Sequence, residues 1–173
     1  MKQLSHFDEK FSKKLSPIIL LLDNVAGEAN IGSIFRIADA FNVEKIVFSG
    51  TAPNLGSRRL QKTARNTHKT VAFETIENAT DFCRNIKNKY QLCAIEITSE
   101  SIPIQEFELS DEKEGVILIL GNEVSGIQEG LLEISEQQLH INMFGNNSSM
   151  NVAQACGIAL YEISKTIFAF AKK

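Results

Sequence analysis

PIILLLDNVAGEANIGSIFRIADAFNVEKIVFSG, residues 17–50, carries two hydrophobic periods in succession. Residues 17–25 form an almost continuous apolar run, too short for a helix of ordinary length and lacking the polar alternation of a sheet face open to water. Such a run suits a strand buried on both sides. ANIGSIFRIADAFN then sets Ile31, Ile34, Phe35, Ala38 and Phe41 on one side of a helix, and KIVFSG returns as a strand. A strand, a helix and a second buried strand make a parallel crossover unit, so the stretch predicts an α/β fold.

The alternation continues outward from this unit. KTVAFETI, QLCAIEIT, EGVILILG and QLHIN read as further strands. ENATDFCRNIKNKY reads as a helix with Ala79, Phe82, Cys83 and Ile86 inward, QEGLLEI as a short helix, and the chain from about Asn151 as a final helix. That last helix carries Val152, Cys156, Leu160, Ile163 and Ile167 at helical spacing. Residues 99–113 read as a linker. The expected fold class is α/β: a mainly parallel sheet flanked by helices on both faces, in a single domain over residues 1–173 with no appended domain.

Composition sets further bounds. A chain of 173 residues with 43% hydrophobic and 23% charged residues can bury a full core. No apolar run approaches the ~20 residues that span a bilayer, and the start MKQLSHFDEKFSKK has no apolar core of a signal peptide. The reading is a cytoplasmic protein away from membranes. Cys83, Cys93 and Cys156 are odd in number and lack CxxC spacing, and His6, His68 and His140 are scattered, so no metal site is expected.

The formal net charge of −3 conceals an uneven distribution. Residues 46–73 contain no Asp or Glu, whereas Arg58, Arg59, Lys62, Arg65 and Lys69 all fall among them. If SRRLQKTARNTHK were one helix, Arg58, Lys62, Arg65 and Lys69 would form a single cationic stripe fit for phosphates.

Parallel sheets bind ligands beyond the carboxyl ends of their strands, and three such junctions carry polar residues suited to chemistry. NVAGEANIGSIFRIADA puts Asn30 at a helix head, with Gly32 and Arg36 four apart on a stripe away from the apolar one. ILILGNEVSGI ends a wholly apolar strand at Gly121, with Asn122, Glu123 and Gly126 following; neither a P-loop nor a dinucleotide fingerprint is present. INMFGNNSSMNVAQACGIALYEI runs from a strand through a Gly/Asn/Ser loop into the last helix, whose mouth holds Ser149 and Asn151.

Together, in this order, the three stretches resemble the motifs of the SpoU (TrmH-like) branch of SPOUT RNA methyltransferases. The matching residues are Asn30, Gly32, Arg36 and Ala38; Gly121, Glu123 and Gly126; and Ile141 to Val152. Asn142 stands where that family usually has Pro, and Met150 where it has Leu. The resemblance implies a homodimer with a C-terminal trefoil knot that methylates a ribose 2′-hydroxyl of tRNA or rRNA from S-adenosyl-L-methionine. It implies a cofactor cradle of Gly121, Asn122, Ile141, Met143, Gly145, Ser149, Met150 and Asn151. It gives catalytic positions to Arg36, Asn30, Glu123, Ser149 and Asn151. A guanidinium keeps its proton, with a pKa above ~12, so Arg36 is expected to stabilise charge on the ribose oxygen rather than act as a base. Asn30 would orient Arg36 or the nucleotide, and Glu123 would fix Arg36 or its own loop. Arg58, Arg59, Lys62, Arg65 and Lys69 are expected to bind RNA. The alternative is a paralogue that keeps the cofactor pocket and binds RNA without methyl transfer.

Overall fold

The computed structural model describes residues 13–147 and 149–170. Outside them lie the polar start up to residue 12, Ser148, and the closing AKK. The described residues form β1 (Ser16–Asp23), α1 (Glu28–Phe41), β2 (Val43–Ser49), α2 (Arg58–Ala64), β3 (Phe73–Ile76), α3 (Ala79–Ile86), β4 (Tyr90–Ile95), β5 (Ile102–Pro103), β6 (Gly115–Leu120), α4 (Glu129–Ile134), β7 (Gln137–His140) and α5 (Val152–Phe170).

The strands make one sheet in the order β3-β2-β1-β6-β4-β7-β5, with every neighbouring pair parallel. Each predicted strand is present, although β3 takes only Phe73–Ile76 of KTVAFETI, whose Lys69 belongs to a 3-10 turn. The central strand β6, GVILIL, is buried at all six positions, as a strand covered on both faces must be. Alternate residues of the runs feed two cores. Ile18, Leu20, Leu22, Val116, Leu118 and Leu120 pack with Ile31, Ile34 and Phe35 of α1 and with Cys156, Leu160 and Ile163 of α5. Ile19, Leu21, Ile117 and Ile119 pack on the opposite face with Ala79 and Cys83 of α3 and Leu131 of α4. All three cysteines are buried free thiols. Burial pushes Cys83, Cys93 and Cys156 each up to about 12.

Three expectations change. Residues 99–113 are not a plain linker: they supply edge strand β5 and a 3-10 turn, and they bury Ile104 and Phe107 in the core. The short strand and isolated apolar residues left no periodic signal. The basic segment is not one helix. Ser57 caps α2 by accepting from the amides of Arg59 and Leu60, but α2 ends at Ala64, because Arg65 and Asn66 take left-handed backbone angles (φ 48° and 73°) before a 3-10 turn at Thr67–Lys69. Lys69 therefore does not continue an α-helical stripe from Arg58. Nor does Gly32 share a polar stripe with Arg36: it is buried, and a Cβ there would collide with Thr63 and the carbonyl of Leu60. Gly32 lets α2 lie directly on α1.

The order of strands turns around between β1 and β6. From β1 the chain builds toward β2 and β3, whereas β6 leads to β4, β7 and β5 on the other side. A crevice opens beyond the carboxyl ends of strands at such a turning point. Leu22 pairs with Leu120, so Asp23 and Gly121 emerge side by side; Asp23 is buried and accepts from Gln128, and the open space lies on the other flank of β6, beyond β4 and β7.

Candidate functional site

At this end of the sheet lies a cleft of about 610 Å³. Its walls come from the end of β4 (Ile95, Glu96, Ile97), the exit of β6 (Leu120 to Val124, with Gly126), the exit of β7 (His140, Ile141, Met143), and the approach to α5 (Ser149 to Val152, with Ala155).

The wall after β6 is a tight turn closed on itself. Asn122 and Gly126 exchange backbone hydrogen bonds of 3.1 and 2.9 Å. Asn122 Oδ1 accepts from the amides of Val124 and Ser125, while its Nδ2 donates to the carbonyl of Asn24 at 2.8 Å and ties the turn to β1. Gly126 has φ 70°, in the left-handed region open to glycine, and a Cβ at Gly121 would collide with the returning backbone at Gly126 and Ile127. The two glycines of this motif are thus requirements of the turn.

Glu123 leaves that turn toward the head of α1. Its Oε1 accepts from Asn30 Nδ2 at 2.8 Å and from the Gly27 amide at 3.3 Å. Asn30 Oδ1 accepts from Asn151 Nδ2 at 2.9 Å, and Asn151 Oδ1 accepts from the amides of Ala153 and Gln154, capping α5. Each carboxamide donates at one end and accepts at the other, so reversing either would set like groups against each other and neither can turn without loss. Burial works to raise the pKa of Glu123, but hydrogen bonds from Asn30 and from the amides of Glu123, Ala26 and Gly27 outweigh it and hold the carboxylate below its ordinary range. Three sequence motifs, 93 and 121 residues apart along the chain, meet in this relay.

Asn30 is therefore not a helix cap: that position belongs to Gly27, where a Cβ would strike Glu123 Oε1 and Asn30 Nδ2. Glu123 holds Asn30 and the start of α1. Among the described residues it makes neither a hydrogen bond nor an ion pair with Arg36. The exposed Arg36 lines neither this cleft nor the two beside it, and six residues of helix, about 9 Å of axis, separate it from Asn30. No ion pair among the described residues involves it.

Of the expected cradle, Gly121, Asn122, Ile141, Met143, Ser149, Met150 and Asn151 line the cleft. Gly145 lines an adjoining one instead. Two polar side chains outside the expected cradle, Glu96 and His140, also line the cleft. Glu96 Oε1 and Oε2 accept from the amides of Ile97 and Ile127, and His140 lies between Ser101 Oγ at 3.0 Å and Asn142 Oδ1 at 3.2 Å. Their positions at the ends of β4 and β7 were the available signal. Asn142, where a proline was expected, thus has a partner in His140.

Arg58, Arg59, Lys62, Arg65 and Lys69 are all exposed on or beside α2, and no ion pair among the described residues includes them. Within the described residues no helix is long and apolar enough to cross a membrane, and no group of His, Cys, Asp or Glu could hold a metal ion.

Residues 17–161 match the model of the SpoU rRNA Methylase family. The tRNA (guanosine(18)-2'-O)-methyltransferase of Aquifex aeolicus is 29% identical over 165 residues, covering 95% of this chain and 76% of that protein. The 23S rRNA (guanosine-2'-O-)-methyltransferase RlmB of Haemophilus ducreyi is 26% identical, over 94% of this chain and 66% of its own. Among solved structures, the AdoMet-bound rRNA methyltransferase of Sinorhizobium meliloti superposes with a TM-score of 0.78 at 25% identity, covering 86% of this chain and 56% of the other.

Proposed function

The chain belongs to the SpoU rRNA methylase family, and on that premise we propose that it methylates a ribose 2′-hydroxyl of tRNA or rRNA, with S-adenosylmethionine held in the cleft of about 610 Å³. The observation that carries this reading is the relay from Glu123 through Asn30 to Asn151, which fixes one end of a cleft walled elsewhere by apolar Ile95, Leu120, Ile141, Met143 and Met150 and by the polar side chains of Glu96 and His140. Ile141, Met143 and Met150 offer apolar surface to an adenosine. The turn at Gly121 and Asn122 and the approach at Ser149 and Asn151 offer polar groups to its hydroxyls and to the amino-acid end. The cofactor supplies a methyl group on an electrophilic sulfonium; this chain's residues must hold the ribose and ease the loss of its proton.

Arg36 is the group assigned to that task. Its guanidinium is exposed and free of ion pairs among the described residues, and it keeps its charge at any working pH. Gripping the phosphate next to the target ribose, it stabilises the oxygen's developing charge. Because Arg36 lies outside the cleft of its own chain, the proposal sets it opposite the cleft of a second copy in a homodimer. The outer side of α5, where Ile158 (38%) and Tyr161 (58%) are exposed while Cys156, Leu160 and Ile163 fill the core, supports such a partner. Mixed dimers test this: Arg36→Ala combined with Asn151→Ala restores one intact site if Arg36 acts across the dimer, and none if it acts within its own chain.

The remaining expectations stand on the same membership. A C-terminal knot is supported by β7, which lies between β4 and β5 although both precede it in the chain. RNA contact by Arg58, Arg59, Lys62, Arg65 and Lys69 is supported by their exposure without acidic partners among the described residues, and a cytoplasmic location by an RNA substrate. Mapping ribose methylation across total RNA from cells with and without the gene tests the activity. Unchanged maps together with no binding of S-adenosylhomocysteine would overturn it; binding without any lost methyl mark would favour the paralogue that no longer transfers.

A further inference from the structure

A second cleft adjoins the first and has no part in the reading so far. It is lined by Asn142, Phe144, Asn146, Asn147 and Gln154, together with Gly145, and it shares Met143, Ser149, Met150 and Asn151 with the cofactor cleft. Five of its lining side chains are carboxamides, Asn151 of the relay and the four of Asn142, Asn146, Asn147 and Gln154; beside them stands one aromatic ring, and among the described residues no charged side chain lines it. Phe144 is 98% exposed, the most exposed of the large apolar residues among those described. One exposed apolar side chain is ordinary on a protein surface; what distinguishes Phe144 is its place, an open ring face beside a row of carboxamides on the wall shared with the cofactor cleft.

We propose that this second cleft receives the base of the nucleotide being methylated, stacked on Phe144, with the Asn142, Asn146, Asn147 and Gln154 amides facing its edge. The inference rests on the methyltransferase reading and adds the substrate's base to it. Covalent geometry supplies the link. A 2′-hydroxyl and its base are attached to adjacent ribose carbons, so a ribose meeting the cofactor at the shared wall carries its base into the neighbouring space. A base within a duplex cannot enter; an unpaired or extruded one presents both a π face and an edge of donors and acceptors. Carboxamides pair with such edges without charge, and every base has a face to stack, so the site favours unpaired RNA over any one base.

The absence of tryptophan from the sequence makes the test direct. Phe144→Trp places a single reporter in the cleft. The full chain, saturated with S-adenosylhomocysteine, is titrated with single-stranded oligoribonucleotides of mixed sequence and with abasic oligoribonucleotides of equal length. The expected result is quenching of Trp emission by the base-bearing oligomer alone. Phe144→Ala should weaken binding of that oligomer about 10-fold, as expected for loss of one stacked base worth ~1–3 kcal/mol. It should leave abasic binding and S-adenosylhomocysteine affinity within twofold. Equal affinities for the two oligomers in the wild type, no quenching, or an unaffected Phe144→Ala variant overturns the proposal. So does a Phe144→Ala variant that loses S-adenosylhomocysteine in proportion, which would make the ring part of the cofactor site. Failure of the wild type to bind S-adenosylhomocysteine strikes instead at the methyltransferase reading.

Discussion

The relay at the head of α1 and the cationic surface of α2 lie on neighbouring elements, yet their polar groups are satisfied in opposite ways. Asn30, Glu123 and Asn151 spend their hydrogen-bonding capacity on one another and on backbone amides. Arg58, Arg59, Lys62, Arg65 and Lys69 have no acidic partner among the described residues. The first arrangement fixes geometry before any ligand arrives. The second leaves charge to be neutralised by whatever binds, and Arg36, though carried on α1, belongs by its surroundings with the second. Substitutions in the relay should therefore register in stability and cofactor binding, and those among the cations in rate and RNA affinity.

The sharpest break in this comparison is Arg36→Ala. Methyl transfer to total RNA should fall at least ~100-fold, the scale of losing one stabilising donor at a developing oxyanion, while calorimetry finds S-adenosylhomocysteine affinity within twofold. A native rate would remove Arg36 from the chemistry. Next in size is the cofactor's own effect: S-adenosylhomocysteine at a hundredfold excess over its Kd should add about 2.7 kcal/mol to stability, read as a rise in Tm. Lys62→Gln with Arg65→Gln should leave Tm unchanged and flatten the salt dependence of RNA binding, the log–log slope shrinking by about 1.5 for two lost phosphate contacts. An unchanged slope would place RNA elsewhere.

The smaller effects sharpen the other side. Asn30→Ala strips Glu123 and Asn151 of a partner each and should cost about 1 kcal/mol of stability in urea unfolding. Asn30→Asp should cost more, since it sets a carboxylate against Glu123. Glu123→Gln gives a pH signature. The folded protein holds the Glu123 pKa below the unfolded value, so the carboxylate's contribution is complete above about pH 4.3 and disappears as pH falls through the lower folded value. The Tm gap between wild type and variant should hold steady near neutrality and close only on the acid side.

Most of the sheet was legible because a strand buried on both faces must be apolar throughout, and the runs at residues 17–25 and 115–120 leave no other reading. The helices showed through their periods, and Val152, Cys156, Leu160, Ile163 and Ile167 are all buried as spaced. Legibility failed where structure depends on few residues. β5 is two residues long, and nothing in Ile102 and Pro103 distinguishes an edge strand from a loop. It failed again at the bend after α2, where Arg65 and Asn66 accept left-handed angles that their identities do not announce. At the site, residue types gave the membership of the relay but not its wiring. That Glu123 would take Asn30 rather than Arg36 is settled by Gly27, whose missing side chain opens the approach.

The three sulfhydryls, described above only as parts of the interior, turn the chain into its own stopwatch. Cys83 lies on the inner side of α3, Cys93 on β4 within the sheet, and Cys156 on the inner side of α5, each with its thiolate suppressed. An alkylating reagent can modify any of them only during an excursion that bares that layer. The sequence in which they acquire label thus records which layer parts from the sheet first, with no probe beyond the native residues.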